Sequence, residues 1–168
     1  MYRYLLAAAL VASPFPGASA MDTDDAAEKE ILAVVDAFKH AIIEKDKPAF
    51  LDLFLHDRAT WQPVMSDERH ARAKLIEPAA ARAAYSPEET PEKFIDGIVN
   101  SAAGIEETFE DVQIDTDGSA ASVAFDFKFL RNGKALNVGR EYWLMVKTDT
   151  GWKIASVVWS RNTPPTSD

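Results

Sequence analysis

The chain has 168 residues and a formal net charge of −9 at pH 7, with 27 acidic side chains against 18 Lys and Arg. This length suits one domain with a substantial hydrophobic core. The acidic balance argues against a nucleic-acid-binding protein and against attachment to anionic membranes, because both attract basic patches. The chain contains no cysteine, which excludes disulfides, thiol chemistry and cysteine-ligated metals.

The first twenty residues are typical of a secretory signal peptide. Arg3 precedes an apolar run over Tyr4–Ala12 that is too short to span a bilayer. Two prolines and a glycine break the run, and a small-x-small site, Ala-Ser-Ala, ends at Ala20. We therefore predict cleavage after Ala20 and a periplasmic or secreted protein with no membrane attachment after cleavage. One domain is expected over residues 21–162, followed by a disordered tail over 163–168.

Two helices and a strand are predicted next. Apolar residues recur at helical spacing over Ala26–Lys45. Asp46 is placed to cap a second, short helix that carries Pro48 in its first turn. A first strand is expected over Ala59–Val64, with Trp61 at its centre.

The middle of the chain is less regular. Residues 66–85 are rich in Ala, Arg and Glu and are interrupted by a proline. This composition indicates a loop with helical turns, which we place over the mouth of a pocket. A third helix is expected to begin at Thr90, with Pro91 at its first position, and to stop at Gly104.

The last third, Glu106–Arg161, predicts four antiparallel strands. Asp117-Gly118, Asn132-Gly133 and Asp149-Thr150-Gly151 are hairpin signals between alternating apolar runs. Helices followed by a run of strands favour an α+β fold with the helices on one face of the sheet.

The order of these elements carries a family resemblance. The segments Glu44–Phe54 and Gly151–Ser160, the latter containing Gly-Trp-Lys-Ile, together with Trp61 between them, resemble the nuclear transport factor two-like superfamily. The chain is most similar there to the SnoaL-like and lumazine-binding branches. The resemblance implies an α+β cystatin-like cone in which three N-terminal helices pack on a strongly curved antiparallel sheet. It also implies dimerisation through a sheet face, and functions that range from isomerases, cyclases and dehydratases to pure binding modules.

The predicted turns set a register for the strands. Uninterrupted pairing places Glu110, Phe125, Arg140 and Ser160 in one row on the face that the helices cover. An arginine on this otherwise apolar face needs a partner, because burying it unpaired is costly. That partner is either Glu110 or an anionic group of a ligand, and the sequence leaves both open.

These placements predict one pocket for a small, partly aromatic organic ligand. Apolar walls and a few polar groups that orient the ligand are typical of such sites. The expected ligand-binding residues are Trp61, Phe125, Arg140, Tyr142, Ser156 and Ser160.

A catalytic alternative depends on Glu110 and Tyr142. Glu110 is the acidic residue that the register places inward, where it would act as a base with Tyr142 as a hydrogen-bond donor. Ser156 and Val158 occupy the positions where many SnoaL-like relatives carry histidine. The three histidines of the chain lack metal-ligand spacing, so we expect neither a metal nor a cofactor.

The opposite face of the predicted sheet suggests a third function, a dimeric interaction module. Large apolar side chains rarely cluster on a solvated face, and aromatic residues and methionine are enriched in interface cores. We therefore predict a homodimer, with Glu141 and Arg161 towards its rim, buried through Trp143, Met145, Val157 and Trp159.

Overall fold

The computed structural model describes residues 20–165, and side chains from residue 25 onward. The predicted signal peptide up to Ser19 and the last three residues of the predicted tail lie outside this range. The elements in chain order are α1 (Ala20–Glu44), α2 (Lys47–Asp52), β1 (Thr60–Met65), α3 (Asp67–Ile76), α4 (Pro91–Val99), β2 (Ile105–Thr116), β3 (Ala120–Arg131), β4 (Lys134–Thr148) and β5 (Gly151–Arg161).

The predicted α+β architecture, with helices on one face of a curved sheet, is confirmed. The five strands have the order β1-β5-β4-β3-β2. Strands β2 to β5 form the predicted antiparallel meander, but β1 runs parallel to β5, with Trp61 opposite Val157. The sheet is therefore mixed rather than antiparallel. A fourth helix, α3, occupies the segment predicted as a loop with helical turns.

The helix ends follow the capping signals in the sequence. The Asp46 carboxylate accepts a hydrogen bond from the Ala49 amide at 2.9 Å, and the Thr90 hydroxyl accepts one from the Lys93 amide at 3.1 Å. Both bonds satisfy amides that the first turn of a helix leaves unpaired. Helix α1 begins at Ala20, earlier than the predicted Ala26. None of the helices in the described part is both long and apolar enough to cross a bilayer.

The core lies between the helices and one face of the sheet, here called the inner face. The Phe38 ring of α1 packs 4.8 Å from Phe50 of α2 and 4.9 Å from Trp143 of β4. Phe109 and Phe125 stack at 4.1 Å on the neighbouring strands. Each such side chain contributes roughly 1.5–3 kcal/mol when it is fully buried.

Three β-bulges change which side chains face the core. The pairing shifts by one residue between Glu110 and Gln113 of β2, at Leu136 of β4, and at Ala155 of β5. A one-residue shift moves every later side chain to the other face of the sheet. The bulge in β2 also contains Asp111, whose φ of 52° lies in the left-handed region.

Candidate active site

A cavity of about 440 Å³ opens between the inner face of the sheet and α4. Its floor and walls are aromatic, and its opening is charged. The aromatic lining comprises Trp61, Phe94, Phe127, Phe129 and Trp159, the polar lining at depth Glu107, Asn137 and Glu141, and the mouth mainly Arg69, Glu88, Glu89, Lys93 and Arg161.

The aromatic walls come from four different elements. Trp61 of β1 lies 5.0 Å from the Trp159 ring of β5 and 5.1 Å from the Phe94 ring of α4. Phe94 also lies 5.9 Å from Phe129 of β3. Offset and tilted contacts of this kind hold rings in fixed orientations, so the elements that form the fold also shape the cavity.

Gly139 of β4 lets two strands approach closely beneath the cavity. A Cβ atom at this position would lie 2.3 Å from the Ser160 carbonyl oxygen and 3.1 Å from the Phe127 ring. Any side chain would therefore push apart β4 and β5, or displace Phe127 from the cavity wall. Glycine is required here by space and not by its backbone angles.

Two carboxyl groups lie at the buried end of the cavity. Glu107 of β2 and Glu141 of β4 are only 5% and 4% exposed, and they flank β3, opposite Phe129 and Phe125 respectively. Burial raises the pKa of Glu107 well above its usual value of 4.5, and repulsion from Glu141 raises it further. Carboxyl groups that interact in this way titrate as a coupled pair, in which the charge of one group alters the pKa of the other.

Glu141 is the member of this pair whose carboxylate form receives a hydrogen bond from a neighbouring side chain. Burial raises the pKa of Glu141 to about 7, against a hydrogen bond from Trp143 that lowers it. The Trp143 indole Nε1 donates that bond to Glu141 Oε1 at 2.6 Å. Burial and mutual repulsion favour a pair that holds a proton, and the Trp143 hydrogen bond favours the carboxylate form at Glu141 and the proton at Glu107. One acid and one base in one cavity is the division of roles that acid–base catalysis uses.

Asn137 adds an unsatisfied acceptor beside the carboxyl pair. Its Oδ1 atom is buried and has no hydrogen-bond partner among the described residues. Such an atom costs free energy unless a ligand or water donates to it. Across residues 25–165, no three His, Asp or Glu side chains converge as metal ligands. The polar groups at depth in the cavity are the carboxyl pair and the amide.

Of the predicted ligand-binding residues, Trp61 lines the cavity. Phe125 faces inward as predicted, but it lies in the core, 5.1 Å from the Trp143 ring, and does not line the cavity. Ser156 and Ser160 were placed wrongly, because the bulge at Ala155 turns the later inward positions to Val157 and Trp159.

The predictions for Arg140, Glu110 and Tyr142 were also wrong. Arg140 lies on the outer face, where its guanidinium donates to Asp126 at 3.0 Å and Gln113 at 2.9 Å. Glu110 is exposed and pairs with Lys128 at 2.6 Å, and Tyr142 is 51% exposed. Their inward placement assumed uninterrupted alternation, which the bulges in β2 and β4 break.

The four residues predicted to form a dimer interface do share one face of the sheet, but it is the inner face and not the outer one. Trp143 lies directly opposite Val157, as predicted, but the four residues of this face are buried inside the monomer. Their exposed fractions are 1%, 1%, 0% and 8% for Trp143, Met145, Val157 and Trp159. A homodimer through these side chains is therefore wrong.

The sequence did not predict Glu107, Asn137 and Glu141 as site residues. Glu141 lies on the same face of β4 as Trp143 and Met145, because side chains two residues apart point to the same side of a strand. When these two apolar residues face the core, the Glu141 carboxylate is therefore buried with them. The sequence pattern that could have revealed the two carboxyl groups is an acidic residue spaced by two from the most apolar residues of its strand.

No family model and no curated protein matches this sequence. Several solved structures are similar in fold. A protein from Novosphingobium aromaticivorans proposed to be a scytalone dehydratase is 17% identical, with a TM-score of 0.60 over 88% of this chain and 91% of that one.

Two further structures carry a fold description. A cystatin-like, nuclear transport factor 2-like protein from N. aromaticivorans is 12% identical, with a TM-score of 0.60 over 84% and 86% of the two chains. A nuclear transport factor 2-like superfamily protein from Salmonella enterica is 17% identical, with a TM-score of 0.57 over 86% and 96%. The chain therefore has the nuclear transport factor 2-like, cystatin-like fold.

Proposed function

We propose that the chain is an acid–base enzyme of the isomerase, cyclase or dehydratase kind, acting on a small, partly aromatic substrate. One observation carries the proposal. Two buried carboxyl groups, Glu107 and Glu141, line an aromatic cavity, burial raises the pKa of both, and Trp143 donates a hydrogen bond to Glu141. Paired carboxyl groups in different environments are typical of acid and base roles.

The chemistry begins with a proton on carbon next to a substrate carbonyl. Glu141, as the carboxylate, removes that proton, and the protonated Glu107 donates its own to the carbonyl oxygen, which gives an enol. If the substrate also carries a β,γ carbon–carbon double bond, the enol is a dienol, and an isomerisation follows when Glu141 returns its proton to the γ-carbon, the double bond moves to the α,β position and Glu107 recovers the oxygen proton. In a dehydration, Glu107 instead protonates a leaving hydroxyl, which departs as water as the carbon–carbon double bond forms.

A second function, ligand binding without chemistry, is favoured by the unsatisfied Asn137 oxygen and the aromatic walls. With either function, we expect the protein to be exported, because a predicted signal peptide precedes Met21. N-terminal sequencing of the exported protein tests this part, since a chain that retains Met1 would contradict it. A structural neighbour proposed to be a dehydratase agrees with the catalytic alternative and does not decide between the two.

Deuterium exchange separates the two functions without knowledge of the substrate. β-Tetralone, an uncharged aromatic ketone, is incubated with the protein in D2O, and loss of its α-proton signal is followed by NMR. Exchange faster than in buffer is expected, because a desolvated carboxylate beside a carboxylic acid promotes enolisation. Glu107→Gln and Glu141→Gln should each abolish the acceleration.

Glu106→Gln is the matched control, because Glu106 precedes Glu107 on β2 and is exposed. It should leave exchange unchanged. If β-tetralone binds but its exchange is not accelerated between pH 5 and 9, the enzyme proposal is wrong and the ligand-binding function takes its place. Acceleration that persists in both cavity variants would show that the carboxyl pair does not act.

A further inference from the structure

The mouth of the cavity is more basic than the chain as a whole. Arg161 pairs with Glu89 at 3.2 Å, and Lys93 with Glu88 at 3.6 Å. Arg69 of α3 forms no ion pair among the described residues. The rim of a cavity in a protein of net charge −9 therefore carries an unneutralised guanidinium.

The acidic neighbours of Arg69 on α3 are used elsewhere. Asp67 pairs with Arg82 at 2.6 Å, and Glu68 with Arg72 at 3.0 Å. Arg69 itself donates one long hydrogen bond, 3.4 Å, to the Leu136 carbonyl oxygen across the mouth. This bond holds the guanidinium over the cavity and leaves most of its five N–H donors available.

The interior has the opposite character. Glu107 and Glu141 are buried, and the basic lining residues all lie at the mouth. An anionic group at the buried end would be repelled by Glu141 and would receive no compensating cation. A neutral oxygen is suited to that position, because Glu107 donates to it when protonated.

We propose, on the basis of the function proposed above, that the substrate is an aromatic carboxylate bound in one orientation. Its uncharged oxygen function lies against Glu107 and Glu141, its ring against the aromatic wall that Trp61 and Trp159 form, and its carboxylate at Arg69. A guanidinium binds a carboxylate through two parallel hydrogen bonds, which fixes orientation as well as adding affinity. The cavity volume of about 440 Å³ accommodates a bicyclic ring system of this kind.

Three naphthalene probes of the same ring size test the charge assignment. They are β-naphthol, a hydroxynaphthoate with its hydroxyl and carboxylate at opposite ends of the ring, and naphthylmethylammonium. Their dissociation constants are measured by calorimetry at pH 6, with quenching of tryptophan fluorescence as a second readout. Hydroxynaphthoate is expected to bind tightest, and raising the salt concentration should weaken only the charged probes.

Arg69→Gln should lower the affinity ratio of hydroxynaphthoate to β-naphthol by about tenfold, as expected for one charge-assisted bidentate pair. Arg72→Gln is the matched control, because Arg72 lies on the same helix and pairs with Glu68 away from the cavity. It should leave the ratio unchanged. Circular dichroism of both variants confirms that they are folded.

Two results would overturn the assignment. The first is a hydroxynaphthoate-to-naphthol ratio that is the same in Arg69→Gln and in the unmodified chain. The second is tightest binding of naphthylmethylammonium, which would make the carboxyl pair a cation site. The carboxylate site at Arg69 and the acid–base function can be refuted independently of each other. β-Tetralone carries no charge, so its deuterium exchange tests the carboxyl pair and not Arg69.

Discussion

Glu141→Gln is expected to make the protein more stable at alkaline pH. Glutamine has the shape of a protonated glutamic acid and keeps an oxygen that accepts the Trp143 hydrogen bond. It removes the ionisation that burial opposes. The substitution therefore deletes one proton equilibrium and leaves the packing of the cavity floor in place.

The size of the effect follows from the pKa of Glu141 in the folded chain, about 7 against a usual 4.5. Between these values the folded state keeps a proton that the unfolded chain has released, so the stability of the unmodified protein falls as the pH rises. The loss begins near pH 4.5 and is complete above about pH 7. It amounts to about 3 kcal/mol, which corresponds to roughly 6–12 °C in melting temperature.

Thermal and urea unfolding at pH 5 and pH 8 measure this difference. The variant should be more stable than the unmodified chain by less than about 1 kcal/mol at pH 5 and by about 3 kcal/mol at pH 8. Glu106→Gln, an exposed position on β2, should change stability by less than about 0.5 kcal/mol at either pH. Equal stabilities at pH 8 would mean that Glu141 ionises without a desolvation cost, and the acid–base assignment would lose its basis.

Three further outcomes are expected. Trp143→Phe removes the donor to Glu141 and should move the acidic limb of the deuterium-exchange pH profile to higher pH. Gly139→Ala should cost about 3 kcal/mol in urea unfolding, because its Cβ would overlap the β5 backbone. Trp159→Glu should abolish cooperative unfolding, whereas Leu144→Glu, at a 59% exposed position on the outer face, should stay folded. The same Leu144→Glu variant tests whether two copies pair through the outer face, because sedimentation would then show a dimer for the unmodified chain and a monomer for the variant.

Local signals in the sequence were sufficient for the elements and their order. Asp46 and Thr90 cap their helices because their side chains accept from amides three residues on, and that geometry needs no tertiary partner. Asn132, with a φ of 50°, and Gly133 form a tight turn that their own backbone preferences select. Such features depend on a few neighbouring residues, so they are visible without a structure.

The site depended on information that no local signal carries. A bulge adds one residue to one strand, and the added residues at Leu136 and Ala155 have side chains that are common in regular strands. The register worked out from the turns therefore holds beside each turn and fails beyond the bulge. Glu141 and Arg140 exchange faces through this one-residue difference.

Total apolar burial decides which face of β4 and β5 turns inward. One face offers Trp143, Met145, Val157 and Trp159, and the other offers Arg140, Tyr142, Ser156 and Ser160. Burying the first set contributes roughly 1.5–3 kcal/mol for each side chain, whereas the second would bury a guanidinium and several hydroxyls that need partners.

Glu141 is carried inward with the tryptophans because it alternates with them. Its cost is limited, since the group holds a proton below about pH 7 and accepts the Trp143 hydrogen bond. The stability of the fold and the acidity of the site thus have one cause. The sheet buries its most apolar face, and the carboxyl group on that face acquires a pKa suited to proton transfer.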